Sequence, residues 1–241
     1  KEHKECIEVA VAICKNTRVK VLAGAGSNAT HEACDIAKFA QEVGANGILS
    51  IAPYYNKPTQ EGLYQHYKAI ASSVEIPFML YNVPGRTGVD LLPETAIRLF
   101  DDVKNIYGIK EATGSLERAT SIMSQREDFV VVSGDDSVDF PMLASGAKGI
   151  VSVTANLVPD LKVKLVNSTF NKDFETALKI HNNLFELNKV LFCESNPIPI
   201  KAAMYLAGLL DSLEYRLPLT SPSKETLNKL ENILKKYEVV K

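Results

Sequence analysis

The stretch Ile106-Tyr-Gly-Ile-Lys-Glu-Ala112 decides the fold, because it is a short apolar run that contains a lysine. Near-continuous apolar runs are typical of parallel strands that are covered on both faces. Five similar runs flank it, and the segments between them have apolar residues at helical spacing. Alternation of strands and helices without repeats or low-complexity linkers predicts a parallel sheet in one domain. The predicted strands span residues 19–23, 47–52, 78–82, 106–112, 129–133 and 149–154.

The end regions of the chain are predicted to be helical. Residues 1–15 form an amphipathic pattern, and after residue 155 only helices are expected, at 159–169, 174–192, 199–210 and 223–237, the last capped by Ser223. A closed (β/α)₈ barrel needs eight strands. Six strands therefore indicate either an open doubly wound sheet or strands three to eight of a barrel whose first two strands lie upstream of Lys1. The motifs below favour the barrel.

We expect one structural unit. Residues 1–155 would supply the barrel strands and helices, and residues 156–241 the last barrel helix and a C-terminal helical extension. No independent second domain is expected.

Composition excludes several classes of partner. The 241 residues are 46% apolar and carry a formal net charge of -2, which gives no field for gathering nucleic acid or a membrane surface. No apolar run reaches the roughly 18 residues of a membrane span, and no leader pattern is present. The four cysteines have no Cys-x-x-Cys or zinc-type spacing, which predicts a reduced, cytoplasmic protein.

Lys110 lies within a predicted buried strand, where an ammonium group is unfavourable unless it pairs, loses its proton or reacts. A neutral amine at the mouth of a barrel could attack a ketone. Alternatively, the side chain extends from the strand end into solvent, or pairs with a neighbouring carboxylate. The strand position alone does not separate these interpretations.

Tyr81 and Arg86 lie at the end of the preceding predicted strand, in Phe78-Met-Leu-Tyr-Asn-Val-Pro-Gly-Arg-Thr-Gly88. A tyrosine hydroxyl can relay protons, and a guanidinium group can bind a carboxylate with two parallel hydrogen bonds. A core tyrosine and a solvated turn arginine are the structural alternatives. Both residues follow the carboxyl end of a strand, as Lys110 nearly does, and barrel active sites are built there.

Two other motifs, and the histidines, give weaker indications of function. Gly24-Ala-Gly-Ser-Asn-Ala29 matches a dinucleotide pattern, but the next strand offers no acid for the ribose, so we predict a tight βα turn. Asp135 and Asp136 have no companion metal ligands and are interpreted as loop and capping groups. No histidine is placed like a catalytic base. We expect neither a metal nor an organic cofactor.

Taken together, these motifs resemble the dihydrodipicolinate synthase family, also called 4-hydroxy-tetrahydrodipicolinate synthases. The resemblance covers essentially the whole chain. The matching stretches are Ala23-Gly-Ala-Gly-Ser-Asn-Ala-Thr30, Ala52-Pro-Tyr-Tyr-Asn-Lys-Pro-Thr-Gln-Glu-Gly-Leu-Tyr64, Leu80-Tyr-Asn-Val-Pro-Gly-Arg-Thr-Gly88, Gly108-Ile-Lys-Glu-Ala-Thr-Gly114, Ser133-Gly-Asp-Asp136, Val151-Ser-Val-Thr-Ala-Asn156 and Glu194-Ser-Asn-Pro-Ile-Pro-Ile-Lys201.

The resemblance implies roles for individual residues. Lys110 would form the imine with pyruvate, Tyr81 would relay protons, and Arg86 would receive the carboxylate of the aldehyde substrate. Main-chain groups around Gly134 and Val151 would line the pocket, and Tyr55 would enter a neighbouring subunit's site. Family members are usually homotetramers built from dimers. Positions that bind feedback-inhibiting lysine in many members correspond to His3, Asn28, Glu32 and Tyr54.

The implied reaction condenses pyruvate with L-aspartate 4-semialdehyde to 4-hydroxy-tetrahydrodipicolinate, in lysine and diaminopimelate biosynthesis. The first alternative is a sister lyase that cleaves N-acetylneuraminate or a 2-keto-3-deoxy sugar acid. Such enzymes generally lack an arginine at the position of Arg86. The second is an inactive fragment with an assembly or regulatory role, because the family's Thr-Thr-Gly-Glu stretch and first two strands are absent from this sequence.

Overall fold

The structure is a computed structural model that describes residues 1–237 and divides into two compact units. The first unit comprises Lys1–Gly134 with Ser145–Lys148, and the second comprises Asp135–Ala144 with Gly149–Lys241. Residues 238–241 lie outside the described part of the chain. The prediction of one structural unit is not tested by this division and stays a prediction.

The first unit is a parallel sheet with helices between the strands. Its strands are β1 (Leu22–Gly24), β2 (Gly47–Ile51), β3 (Phe78–Asn82), β4 (Ile106–Glu111) and β5 (Val130–Ser133). They pair in chain order, each parallel to the next. The helices are α1 (Glu2–Cys14), α2 (Thr30–Glu42), α3 (Gln60–Ala71), α4 (Pro84–Thr87), α5 (Pro93–Asp102) and α6 (Leu116–Gln125). The predicted α/β class is confirmed.

The second unit holds one short strand and the remaining helices. In chain order these are a 3₁₀ turn (Asp136–Val138), α7 (Asp139–Ala144), β6 (Gly149–Ile150), a second 3₁₀ turn (Thr154–Asn156), α8 (Pro159–Phe170), α9 (Phe174–Val190), α10 (Ile198–Leu206) and α11 (Lys224–Lys236). Helices α8, α9 and α11 share an apolar core in which Leu165, Leu184 and Leu230 are fully or almost fully buried. The predicted cap of α11 is confirmed, since the Ser223 hydroxyl accepts from the Thr226 N–H at 3.2 Å.

Burial differs between the two faces of the sheet near the carboxyl ends of β3 and β4. Ile48, Leu80 and Ile109 are completely buried, whereas Tyr81 and Lys110 are half-buried. Because successive strand residues point to opposite faces, Tyr81 and Lys110 share the more open face of the sheet. The expectation of strands covered equally on both faces is therefore too simple for this end of the sheet.

Three predicted boundaries are wrong. The first strand begins at Leu22 rather than residue 19. The Val21 N–H donates to the Asn46 side-chain oxygen at 2.9 Å, and pairing with β2 starts only at Leu22. The strand predicted at 149–154 ends at Ile150. The Asp136 carboxylate accepts hydrogen bonds from the N–H groups of residues 153 and 154, and the chain forms a 3₁₀ turn there instead of a strand. Helix α10 ends at Leu206, and Gly208 adopts a left-handed φ of +71° just after it.

The glycine-rich loop after β1 is the tight βα turn that the sequence predicts. A Cβ on Gly26 would lie 2.5 Å from Ile51 Cγ2 and 2.6 Å from Ile51 N. Any side chain at residue 26 would therefore collide with β2. The glycine permits close packing of this loop against the strand.

Candidate active site

Lys110 and Tyr81 face each other at the ends of neighbouring strands. The register of β3 and β4 pairs Tyr81 directly with Lys110. The Lys110 Nζ lies 4.0 Å from the centroid of the Tyr81 ring, within the range of a cation–π contact. The two side chains therefore lie on the same face of the sheet, and the arrangement brings a potential nucleophile next to a potential proton donor.

The surroundings of Tyr81 keep its phenol protonated. Burial raises the pKa of the hydroxyl above its usual value near 10, and the positive charge of Arg86 acts in the opposite direction without overcoming it. At neutral pH the hydroxyl therefore carries a proton that it can donate.

Gly134 leaves space for the Lys110 side chain. A Cβ at residue 134 would lie 2.8 Å from Lys110 Cε and 2.7 Å from Ala112 Cβ. The Gly134 N–H donates to the Glu111 carbonyl at 2.8 Å, which holds the main chain beside β4. The structure thus places Gly134 at the lysine, and its role in lining a substrate pocket stays a prediction.

Arg86 lies on the one-turn helix α4, directly after β3, and is exposed. The turn is closed by the Thr87 hydroxyl, which donates to the Val89 carbonyl at 2.9 Å, and by Gly88 at φ +73°. Arg86 is close enough to Tyr81 for its positive charge to oppose the rise that burial causes in the pKa of the Tyr81 hydroxyl. The guanidinium therefore lies near the Lys110–Tyr81 pair.

Tyr55 stands apart from that pair. Its side chain is 89% exposed, and its backbone has a left-handed φ of +75°. The Tyr55 N–H donates to the Thr87 carbonyl at 3.2 Å, which joins the loop after β2 to the turn that carries Arg86. Such exposure of an aromatic ring accords with a role outside its own subunit, and this role stays a prediction.

The four predicted lysine-binding residues lie on adjoining segments of the first unit. His3 Nε2 is 2.7 Å from the Gly24 carbonyl oxygen, and Glu32 accepts from the Ser27 hydroxyl at 2.8 Å. The Asn28 carbonyl accepts from the Asn56 side chain at 2.9 Å. Tyr54, in the same loop as Asn56, is 43% exposed. Lysine binding there is untested.

Val151 belongs to the second unit and follows β6 directly, with 36% of its surface exposed. Its predicted contribution to the pocket stays a prediction.

The two aspartates after Gly134 behave differently from each other. Asp135 caps the first 3₁₀ turn by accepting from the Ser137 N–H at 2.9 Å, as predicted. Asp136 is buried, and its carboxylate lies 2.6 Å from the Lys162 Nζ. Lys162 also contacts Asp139 at 2.6 Å, so capping describes only part of what Asp136 does. Sequence reasoning missed this buried triad.

Two kinds of feature are absent from residues 1–237. No three histidine, cysteine or acidic side chains there gather as metal ligands. No helix in that part of the chain is long and apolar enough to cross a membrane.

The fold and the site define a parallel α/β protein with a lysine and a tyrosine paired at adjacent strand ends and an arginine close by. The chain belongs to the dihydrodipicolinate synthetase family, whose model matches residues 1–237. It is 85% identical over 241 residues to the 4-hydroxy-tetrahydrodipicolinate synthase of Aliarcobacter butzleri (strain RM4018), covering 100% of this chain and 82% of that protein.

Solved structures share the fold. Dihydrodipicolinate synthase from Aquifex aeolicus superposes with a TM-score of 0.96 at 46% identity, covering 99% of this chain and 81% of that one. The chloride-inhibited enzyme from Acinetobacter baumannii, complexed with pyruvate, gives 0.95 at 44% identity, with coverage of 99% and 81%. The enzyme from Cyanidioschyzon merolae with lysine bound gives 0.95 at 36% identity, again covering 99% and 81%.

Proposed function

We propose that this chain is a 4-hydroxy-tetrahydrodipicolinate synthase, a lyase that condenses pyruvate with L-aspartate 4-semialdehyde through an imine on Lys110. One observation carries the proposal. In a member of this family, Lys110 Nζ lies 4.0 Å from the Tyr81 ring, in register at the ends of parallel strands. The pyruvate complex of the related Acinetobacter baumannii enzyme supports the choice of keto acid.

The chemistry follows from the order of attack. The Lys110 amine adds to the ketone carbon of pyruvate, and water leaves to give an imine. Loss of a proton from the methyl carbon gives an enamine, which forms a carbon–carbon bond to the aldehyde. The amino group of the second substrate then attacks the imine carbon, closes the ring and releases Lys110. No metal or organic cofactor takes part in these steps.

Each side chain has a separate task. Tyr81, kept protonated by burial, supplies the proton that lets oxygen leave as water. Arg86 binds the carboxylate of the semialdehyde, which favours this substrate over the neutral tail of a sugar acid. Main-chain groups at Gly134 and Val151 line the pocket, and Tyr55 completes the site of a neighbouring subunit.

The test is reductive trapping. Borohydride in the presence of pyruvate should add one reduced pyruvate to the peptide that contains Lys110. Lys110→Ala should abolish the adduct, whereas Lys104→Ala, an exposed lysine just before β4, should leave it unchanged. Labelling that persists in Lys110→Ala, or none in the unsubstituted protein, contradicts the proposal and favours an assembly or regulatory role. Trapping without turnover of the semialdehyde favours the sister lyases.

We further propose lysine as a feedback inhibitor that binds at a subunit interface through His3, Asn28, Glu32 and Tyr54. The lysine-bound relative from Cyanidioschyzon merolae supports this ligand. The carboxylate of Glu32 would receive an amino group of the inhibitor. The assembly we propose is a homotetramer built from dimers.

The proposed fold is a (β/α)₈ barrel in which β1–β6 are strands three to eight, followed by a C-terminal helical extension. The parallel pairing of β1 to β5 in chain order supports a barrel arrangement. We place the protein in the cytoplasm, a reducing compartment that suits its free cysteines (Cys6, Cys14, Cys34 and Cys193).

A further inference from the structure

A group of four polar side chains lies behind the Lys110–Tyr81 pair, and we call it the Arg118 cluster (Asn82, Asp90, Glu111 and Arg118). Asn82 and Glu111 are completely buried, and the β3–β4 register pairs them one residue beyond Tyr81 and Lys110. Since neighbouring residues of a strand point to opposite faces, the cluster occupies the face opposite the reacting side chains. It is therefore outside the proposed site but attached to the same two strand ends.

The cluster holds the end of the loop that carries Arg86. Arg118 donates from Nη1 to Asp90 Oδ2 at 3.0 Å and from Nη2 to the Leu91 carbonyl at 2.7 Å. Asn82 donates to Asp90 Oδ1 at 2.9 Å and accepts from the Leu91 N–H at 3.0 Å. These four hydrogen bonds fix residues 90 and 91. The other end of the loop is continuous with β3, so both ends are immobilised around Arg86.

The same cluster holds the strand end that carries Lys110. The Glu111 carboxylate accepts from the Thr113 N–H at 2.9 Å, which fixes the turn just after β4. Arg118 Nε lies 3.5 Å from Glu111 Oε2, and the Asn82 amide nitrogen lies 3.3 Å from the same oxygen. Glu111 has no exposed surface, so these donors provide the hydrogen bonds that its buried carboxylate cannot obtain from water.

We infer that Arg118 is a positioning residue that sets the geometry between Lys110 and Arg86. The inference rests on the proposed function, in which the enamine on Lys110 must reach an aldehyde held by Arg86. A planar guanidinium makes two directed bonds to residues 90 and 91 and a third contact to Glu111, which a lysine ammonium cannot reproduce together. Displacement of a reacting group by about 1 Å can reduce the rate roughly 100-fold.

The test is Arg118→Lys, which keeps the positive charge but loses the two directed hydrogen bonds to residues 90 and 91. The fraction of competent sites is counted by borohydride trapping with pyruvate, and turnover is expressed per trapped site. We expect the KM for aspartate semialdehyde to rise about ten-fold or more, with the KM for pyruvate changed much less. A purely structural role would lower the trapped fraction and leave both KM values unchanged.

A matched control lies at the other end of the same helix. Arg126 also forms a two-pronged pair, with both donors 2.7 Å from Asp101, but it is far from β4's carboxyl end. Arg126→Lys should leave turnover per trapped site and both KM values unchanged. If Arg118→Lys does not fold, Asp90→Asn weakens the same loop anchor and should raise the KM for the semialdehyde in the same direction.

The outcomes separate the two proposals. Failure of the unsubstituted protein to trap pyruvate overturns the proposed function itself. Normal trapping with unchanged KM values in Arg118→Lys or Asp90→Asn overturns only the positioning role.

Discussion

Removal of Lys162 should strongly destabilise the second unit. Its Nζ lies 2.6 Å from Asp136 and 2.6 Å from Asp139, and its side chain is 2% exposed. Breaking a buried ion pair by deleting one partner costs about 3–5 kcal/mol, because the remaining charge stays buried without compensation. We therefore expect Lys162→Met to lower the free energy of unfolding by about 3–5 kcal/mol at pH 7.

The loss should depend on pH. Burial acts to raise the pKa of Asp136, but Lys162 and the hydrogen bonds from Ser152 and Thr154 outweigh it, so the pKa is lowered. In the unsubstituted protein this stabilisation is present above about pH 4, the value of an unfolded aspartate, and is lost as pH falls through the lower folded pKa. Without Lys162 the pKa of a buried carboxyl rises, so the protein can neutralise it at mild acidity. The deficit of Lys162→Met should therefore be smaller at pH 5 than at pH 7.

Urea denaturation followed by circular dichroism at both pH values measures these differences. The matched control is Lys179→Met, which breaks a 2.6 Å pair with Glu175 in which both side chains are more than 70% exposed. Exposed pairs of this spacing contribute about 0.3–0.5 kcal/mol. If Lys162→Met costs no more than the control, or if its cost grows on acidification, the account of the triad is wrong.

Three further predictions concern the first unit. In steady-state kinetics, Arg86→Ala should raise the KM for aspartate semialdehyde about ten- to hundred-fold and the KM for pyruvate far less. Equal effects on the two KM values would mean that Arg86 has a structural role. Calorimetry should show lysine binding that Glu32→Ala abolishes and Glu42→Ala, at the far end of α2, preserves; unchanged binding in Glu32→Ala refutes the regulatory site. His66 is buried, and burial lowers its pKa to about 4. Between pH 6.5 and pH 4 the unfolded chain gains a proton at this residue and the folded chain does not, so the free energy of unfolding should fall by up to about 3 kcal/mol. His66→Gln should flatten that part of the urea-denaturation profile, and an unchanged profile would assign it to other groups.

The closeness of Lys110 and Tyr81 could be predicted in part, because the signals of the two strand ends are local. Tyr81 and Lys110 each lie at the end of an apolar run, and parallel strands bring such ends together at one edge. That step requires no knowledge of distant contacts. Alternation within a strand does not by itself say which residues of neighbouring strands share a face, and the register of β3 and β4, which pairs Tyr81 with Lys110, supplies that information.

The polar groups behind the site could not be found in this way, because their partners are distant in sequence. Glu111 lies beside Lys110 in an apolar strand, and its burial demands donors, but nothing local identifies Arg118 or Asn82 as those donors. Lys162 lies on α8, and nothing in the sequence of that helix identifies its partners. Only the fold brings Asp136 and Asp139 to it across more than twenty residues. The predicted end of the sixth strand is wrong for the same reason. The N–H groups of residues 153 and 154 donate to the Asp136 carboxylate, which is distant in sequence.

The left-handed backbone at Tyr55 has a consequence for engineering this chain. A side chain at φ +75° costs about 1–2 kcal/mol relative to glycine, and the ring, with 89% of its surface exposed, recovers little of that by packing in its own subunit. A library screened only for heat resistance would therefore enrich glycine or asparagine at residue 55. Under the proposed function, variants with glycine or asparagine at residue 55 would lack the ring that completes the site of a neighbouring subunit. Screens for a more robust catalyst must keep residue 55 constant or select for turnover at the same time.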